Sequence, residues 1–195
     1  MPRFFRAKIY LHCITKRPRS WYNKNMIEMI EAKLNLKVDI SIKHEYKYCI
    51  SDLAQNEIIR SLRDFAHHRN FSRLEHCIHV SYLSYLVCRK LGLDYQSAAR
   101  GGLLHDFYFY DSHITKPDSG IHCFCHPTIA LENATKHFPL NEVEKDIIVK
   151  HMWPVTINPP KYKESFVVTL MDKYCASREV AKYGGKFNIA QQTQF

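Results

Sequence analysis

The chain has 195 residues, of which 46% are hydrophobic and 24% charged, close to the average for a globular protein. This length suits one compact domain with a small additional segment. No run of 18 apolar residues could span a bilayer, and the first twenty residues lack the apolar core and cleavage site of a secretory signal. We therefore expect a soluble, cytoplasmic protein with no membrane span.

Positive charge is concentrated near the N-terminus. The net charge is +9, and residues 1–50 carry eleven Lys or Arg against four acidic residues, whereas residues 51–195 carry seventeen against fifteen. A solvated basic arm is the commoner interpretation of such a segment. Nucleic-acid binding through it is an alternative that we do not favour, and the sequence specifies no oligomeric state.

The seven cysteines are expected to be reduced, because their number is odd and no signal leads the chain out of a reducing compartment. Cys123 and Cys125 form C-x-C rather than the C-x-x-C of zinc knuckles. Other cysteines lie within helical patterns, as small apolar residues do. A metal site built from thiolates is therefore not favoured.

The first part of the chain gives mixed signals. Residues 4–14 and 37–42 have strand character, and residues 23–36 have helical spacing. We interpret residues 1–50 as a basic extension of mixed structure. After Ser51, a suitable N-cap, the apolar spacing predicts one helix over residues 52–68.

The next helices each place a polar residue on an apolar face. The pattern predicts a helix over 72–91 that ends at Gly92 and carries His76 inward. A face of small residues over 95–109 directs His105 and Asp106 inward. Pro127 suits a first helical position, which makes His126 the expected cap of a short helix to residue 136.

Two further helices complete the predicted all-α fold. Asn141 and Glu144 approximate a capping box for a helix that ends before Pro154 and carries His151 on its buried stripe. The last helix, over residues 163–183, carries Asp172 inward and ends at a glycine pair.

Six histidines and aspartates at these positions need a common explanation, because buried charges must be paired or bound to metal. Imidazole binds divalent transition metals, and a carboxylate can bridge two ions. Six protein ligands suit two ions and leave positions for water and substrate. The candidate metal ligands are His76, His105, Asp106, His126, His151 and Asp172.

The motifs R-L-E-H-C-I-H-V-S-Y-L-S, G-L-L-H-D-F and T-L-M-D-K-Y resemble the HD superfamily of metal-dependent phosphohydrolases. The resemblance covers about residues 52–183. The family pattern H, HD, D corresponds to His76, His105, Asp106 and Asp172. Some members have two more histidines, which match His126 and His151, and this subset resembles the two-metal members.

The resemblance implies a bundle of at least five helices over residues 51–185, followed by a tail over 186–195. It implies that Asp106 bridges two divalent ions, with His76, His105 and Asp172 on one and His126 and His151 on the other. Iron or manganese is expected, with cobalt, magnesium, nickel and zinc as alternatives. The sequence departs from the HD-x-G-K of cyclic-dinucleotide phosphodiesterases, since Phe107, Tyr108 and Phe109 follow Asp106.

The expected activity is hydrolysis of a small phosphate ester, such as a nucleotide, by a metal-bound hydroxide. The segment from Lys150 to Tyr174 is similar to small bacterial HD hydrolases of undefined substrate. The expected catalytic residues are Asp106, Lys173 and His122. Hydrolysis of a phosphate ester needs positively charged groups beside the negative non-bridging oxygens of the phosphate. The candidates for substrate binding are Arg73, His79, Arg100, Lys150 and Lys173.

Two other functions remain open. The same ligands could hold two irons that activate dioxygen, as in HD-type oxygenases. Alternatively, the metal could be structural in a non-catalytic regulatory module. The identity of the metal, oxygen consumption and phosphate release distinguish these possibilities.

Overall fold

A computed structural model of the chain describes residues 31–32, 38–68, 71–111 and 121–184. The chain divides into two compact units, Met1–Leu36 and Lys37–Phe195. All elements named below belong to the second unit. The predicted strand over 4–14, the helix over 23–36 except for its helical residues 31–32, and the tail over 186–195 lie outside the described residues.

The all-α prediction is confirmed. The described part of the chain contains eight α-helices, one 3-10 helix and a single antiparallel pair of short strands. The elements in chain order are α1 Ile40–Cys49, α2 Ser51–Ala54, α3 Glu57–Arg60, the 3-10 helix Ser61–Asp64, β1 Ala66–His68, β2 Phe71–Ser72, α4 Arg73–Leu91, α5 Tyr95–Leu104, α6 His122–His137, α7 Glu142–Lys150 and α8 Lys163–Gly184.

The strand predicted over 37–42 is wrong, because helix α1 begins at Ile40. The Asp39 side chain accepts a hydrogen bond from the Ser41 backbone N–H and so caps this helix. Tyr46 of α1 is fully buried, and its hydroxyl donates to Ser81 Oγ of α4 at 3.0 Å. Helix α1 is therefore packed into the helical unit, although the sequence placed it in the basic extension.

The single helix predicted over 52–68 is also wrong. Asn56 interrupts it, because its side chain accepts from the Ile58 backbone N–H and starts a new helix at Glu57. Such a local bond offers the backbone an alternative to continuing the previous helix. The 3-10 helix then ends before Phe65, and the chain continues into the β1–β2 hairpin.

Helices α4 and α5 form the centre of the unit. Helix α4 agrees with the prediction: Ser72 and Glu75 form a capping box, and Gly92 ends the helix with a φ of 67°. Helix α5 approaches it closely at Gly102, where a Cβ atom would lie 3.0 Å from the Ser81 Cα atom. The small-residue face predicted for this segment therefore serves close helix packing.

Helix α5 ends at Leu104, and the predicted extension to Phe109 is wrong. The fully buried Arg73 explains the difference, because its guanidinium donates to the carbonyls of Tyr108 and Tyr110 at 2.8 and 3.1 Å. These bonds hold residues 107–110 in an irregular path beside α4.

Helix α6 begins at His122 and has 16 residues, so the short helix capped by His126 is a wrong prediction. Pro127 is its sixth residue rather than its first. Helices α7 and α8 confirm the predictions, including the Asn141–Glu144 capping box.

Among the described residues, no helix is long and apolar enough to cross a membrane. The six cysteines that the structure describes are free thiols.

The contact at Gly102 predicts a loss of stability on adding one methyl group. Gly102→Ala places the methyl against the α4 backbone, which cannot rotate away, and we expect the free energy of unfolding to fall by about 1–3 kcal/mol. The comparison is Gly92→Ala, where no atom lies within 4 Å and only the left-handed backbone opposes the change, by roughly 1 kcal/mol. Urea denaturation checks both, and a Gly102→Ala protein as stable as wild type would contradict the close contact.

A second prediction concerns Glu45, which joins α1 to α4 and α5. Hydrogen bonds from Arg89, Tyr85 and Tyr95, at 2.6, 2.8 and 2.8 Å, lower the pKa of this carboxyl to about 2. A lowered pKa stabilises the fold above the unfolded value of about 4.5, and this contribution is lost as pH falls toward 2.

We therefore expect Glu45→Gln to be less stable than wild type by about 1–2 kcal/mol at pH 7. The difference should shrink between pH 5 and pH 3 in urea denaturation. The control is Glu142→Gln, which removes an exposed ion pair with Lys145 and should change stability much less than Glu45→Gln does. A difference that is constant with pH would show that the Glu45 charge does not contribute.

Candidate metal centre

The structure brings together all six residues predicted as metal ligands, and all six are buried. They come from five helical segments. His76 lies in the first turn of α4, and His126 and Asp172 lie within α6 and α8. His105 and His151 are the C-cap residues of α5 and α7, and Asp106 directly follows His105.

Backbone carbonyls fix the orientation of three imidazole rings. The Nδ1 atoms of His105, His126 and His151 each lie 2.8 Å from a carbonyl oxygen, of Gly102, His122 and Ile148 respectively. A carbonyl can only accept, so each Nδ1 must carry the proton and donate it. In the neutral ring the Nε2 atom then presents a lone pair, which suits a metal ion.

The Nε2 atoms surround the Asp106 carboxylate. Its Oδ1 atom lies 3.3 Å from His126 Nε2 and 3.6 Å from His151 Nε2, and its Oδ2 atom lies 3.8 Å from His105 Nε2. The two oxygens therefore face different histidines. This is the arrangement that a carboxylate needs to bridge two cations.

A cation is required to make this arrangement favourable. His126 Nε2 and His151 Nε2 are 2.9 Å apart, although both rings already donate through Nδ1. His105 Nε2 and Asp106 Oδ1 are buried with no hydrogen-bond partner among the described residues. Lone pairs and carboxylate oxygens that face one another repel, so either protons or metal ions must lie between them.

Without metal, protons would have to supply the positive charge between these facing atoms. The pKa values of His126 and His151 show which ring takes up a proton more readily. Burial, together with the nearby His105 and His126, lowers the pKa of His151 to about 3. Burial also lowers the pKa of His126, but the Asp106 carboxylate outweighs it and raises the net value. Of these two rings, His126 therefore takes up a proton more readily than His151. A metal ion bound at His126 Nε2 must displace any proton held there, so metal binding should release protons at a pH where His126 is charged.

The His76 ring is held between two carboxylates. Its Nε2 atom lies 3.1 Å from Asp172 Oδ1, and its Nδ1 atom lies 3.1 Å from both Glu179 oxygens. Burial opposes the charged ring, but Asp172 and Glu179 raise the pKa of His76 to about 10. Asp172 Oδ1 is also 3.7 Å from His105 Nε2. His76, His105 and Asp172 thus form a compact set of donors.

These buried groups could hold a metal ion. Potential ligand atoms lie within 4.8 Å of one another in three groups: His76, His105 and Asp172; Asp106, His126 and His151; and His67, His76 and Asp106. The Nε2 atoms of His105, His126 and His151, whose rings are oriented by their Nδ1 bonds, and the unpartnered Asp106 oxygen fit a divalent cation, because they provide nitrogen and oxygen ligands close together.

The sequence interpretation missed Glu179 and His67. Glu179 had a signal, since it follows Asp172 by seven residues and so lies on the same face of α8. It orients His76 as carboxylates commonly orient metal-bound histidines. His67 had no local signal, because the sequence placed it in a helix whereas it lies on strand β1.

Two of the residues predicted to act on substrate lie beside the centre. Lys173 Nζ donates to the His151 carbonyl at 2.8 Å and lies 3.4 Å from Asp172 Oδ2. His122 stacks on the His126 ring, with centroids 4.4 Å apart, and its Nδ1 atom is 2.8 Å from the Tyr110 hydroxyl.

The remaining predicted substrate contacts have other surroundings. Arg73 is buried and donates to two carbonyls, as described above. Arg100 pairs with Asp52 and Glu144, both at 2.6 Å. His79 lies 3.6 Å from Glu179, and the half-buried Lys150 ends α7 just before His151. The structure therefore brings Lys173 and His122 to the centre and engages the guanidinium groups elsewhere.

No protein-family model matches the chain, and no solved structure matches it at a significant level.

The contact between Glu179 and His76 predicts an effect on metal affinity. Glu179→Gln removes the carboxylate that fixes His76 Nδ1, and loss of such an orienting partner typically weakens metal binding by roughly 10- to 100-fold. Titration of the metal-free protein with Zn²⁺ against a chelator measures this change. The control is Glu144→Gln, an equally buried carboxylate that caps α7 and should leave the affinity unchanged. Equal affinity in both variants would contradict the proposed role of Glu179.

Proposed function

We propose that the protein is a phosphohydrolase or phosphodiesterase of the HD type, with a centre of two divalent metal ions. The observation that supports this most strongly is the convergence of histidine Nε2 atoms on both oxygens of Asp106. A buried carboxylate surrounded in this way needs positive charge on both sides. Two ions bridged by Asp106 would provide it.

The residues divide naturally between the two ions. His76, His105 and Asp172 would hold the first, and His126 and His151 would hold the second, with Asp106 bound to both. When bound, the ions would polarise a phosphoryl oxygen and make water acidic enough to act as a nucleophile at neutral pH. Iron or manganese fits the mixed nitrogen and oxygen donors, and cobalt, nickel, zinc and magnesium are the alternatives to test.

Lys173 is suited to bind the substrate phosphate. Its side chain is 37% exposed, yet its ammonium group is held beside Asp172 by the His151 carbonyl. A cation at the border between the buried donors and solvent can contact a non-bridging phosphoryl oxygen. The His151 carbonyl fixes the ammonium group beside Asp172, one of the residues that would hold the first ion.

His122 is suited to orient the substrate as well. The Tyr110 hydroxyl and the stacked His126 ring fix its imidazole, so it would present a defined edge beside an ion held by His126 and His151. A small phosphate ester, such as a nucleotide, could contact Lys173 and His122 together. This assignment of the substrate class rests on the donor chemistry and on the sequence resemblance to HD phosphohydrolases.

The test is Asp106→Ala and Asp106→Asn, compared with wild type. We expect wild type to bind two metal ions per chain and to release phosphate from nitrophenyl phosphates or nucleotides only with divalent metal. Both variants should lose metal and at least about a thousandfold in rate, because the bridging carboxylate positions both ions. Metal content is measured by elemental analysis, and oxygen uptake is followed in parallel.

The matched control is Asp146→Asn. Asp146 is also a buried aspartate, but its Oδ2 atom accepts from the Lys161 and Tyr162 backbone N–H groups instead of facing the histidines. This variant should keep its metal and its activity. Iron-loaded wild type that consumes oxygen with an organic substrate, but cleaves no ester in the panel, would overturn the hydrolase in favour of an oxygenase. Tight metal binding with neither activity would favour a regulatory module.

A further inference from the structure

We propose that His67 is a seventh protein ligand of the metal centre and binds the same ion as His76 and Asp172. This inference rests on the proposed two-ion centre and adds a residue that the H, HD, H, H, D pattern does not contain. It widens the difference in protein ligands between the two ion sites, from four against three to five against three.

The geometry at the β1–β2 hairpin supports the proposal. The His67 ring stacks on the His76 ring, with centroids 3.9 Å apart and planes inclined by 26°. Its Nδ1 atom lies 3.7 Å from Asp106 Oδ2, the oxygen that also faces His105. The His67 side chain is only 14% exposed. An imidazole nitrogen is thus directed at the bridging carboxylate from a fourth side.

The role of His76 decides which ion His67 would bind. His67, His76 and Asp106 form one group of neighbouring ligand atoms, and His76, His105 and Asp172 form another. Because His76 Nδ1 is bound to Glu179, only its Nε2 atom is available to either group. One imidazole lone pair binds one ion. The two groups therefore describe a single site, with His67 as an additional donor, rather than a third ion.

The donors are then unequally distributed. The first ion has His67, His76, His105, Asp172 and Asp106 Oδ2, which are five protein ligands. The second ion has His126, His151 and Asp106 Oδ1, which are three. Sites nearly filled by protein ligands hold their ion firmly, whereas sites with open positions admit water and substrate. The first ion should bind more tightly, and substrate should bind at the second.

The test separates the donor nitrogen of His67 from its packing. His67→Phe keeps an aromatic ring against His76 but removes the nitrogen. The metal-free full-length protein is titrated with Co²⁺ in the presence of a competing chelator, and the visible absorption of the first bound equivalent is recorded. We expect the affinity for this equivalent to fall at least about tenfold, with a changed absorption spectrum because one ligand is lost. The second equivalent should change less.

The control is His137→Phe. His137 lies in the last turn of α6, with its ring centroid 6.1 Å from that of Phe107, and belongs to none of the groups of potential metal ligands. The same substitution there should leave the affinity for the first Co²⁺ equivalent within about threefold of wild type. The shape of the absorption spectrum should be unaltered. His67→Cys restores a donor atom and should recover part of the lost affinity.

The outcomes distinguish this proposal from the proposed function. Wild type that binds no Co²⁺ overturns the two-ion centre and the role of His67 together. Wild type that binds two equivalents, with His67→Phe identical in affinity and spectrum, overturns the role of His67 alone. Circular dichroism of the metal-free variant checks its fold, and if His67→Phe does not fold, His67→Ala is titrated in the same way. An unchanged first affinity in that variant also overturns the proposal.

Discussion

The buried Asp106 carboxylate is the constraint on which the rest of the structure depends. A charged carboxylate without compensation is among the least favourable groups to bury, and here burial is accompanied by imidazole rings on several sides. Burial raises the pKa of this carboxyl, but His105, His126 and His151 together lower it well below its usual range. The helices must therefore pack so that compensating charge reaches both oxygens.

Helix ends provide much of this precision. The last four carbonyls of a helix have no backbone partner within it. At the ends of α5 and α7, the side chains of His105 and His151 bond such carbonyls. Each is the C-cap residue, and each donates Nδ1–H to the carbonyl three residues earlier. One bond thus satisfies an otherwise unpaired carbonyl and fixes the orientation of a ring that could bind metal. The same bond stabilises the helix end and orients a candidate ligand.

The sequence predicted three long helices, α4, α7 and α8, and the inward direction of their polar residues, because both depend on periodic spacing. The caps of α4 and α7 can be identified from Ser72, Gly92 and Asn141, and the inward faces of the three helices carry His76, His151 and Asp172. The orientation of those residues followed from the apolar stripes on which they lie.

The errors fall where a single side-chain hydrogen bond overrides the apolar spacing of a segment. Asn56 divides a segment with continuous apolar spacing, and Arg73 holds the chain after Asp106 in a path that local sequence does not encode. Both sets of hydrogen bonds are made by single side chains, so the spacing of apolar residues does not predict them. His67 was missed for the same reason, since its place depends on the hairpin that follows this break.

The hydrogen bonds from Arg73 to the Tyr108 and Tyr110 carbonyls determine which part of the site is constrained. Its guanidinium lies 3.6 Å from the centre of the Tyr108 ring and bonds the carbonyls on either side of Phe109, so Tyr108 and Tyr110 are anchored to the helix that carries His76. Tyr110 in turn holds His122. The segment after Asp106, His122 and the helix that carries His76 are therefore tied together through one buried guanidinium. Lys173 is less constrained, because its side chain is 37% exposed, and a change of residue there would disturb fewer buried groups than a change at Arg73.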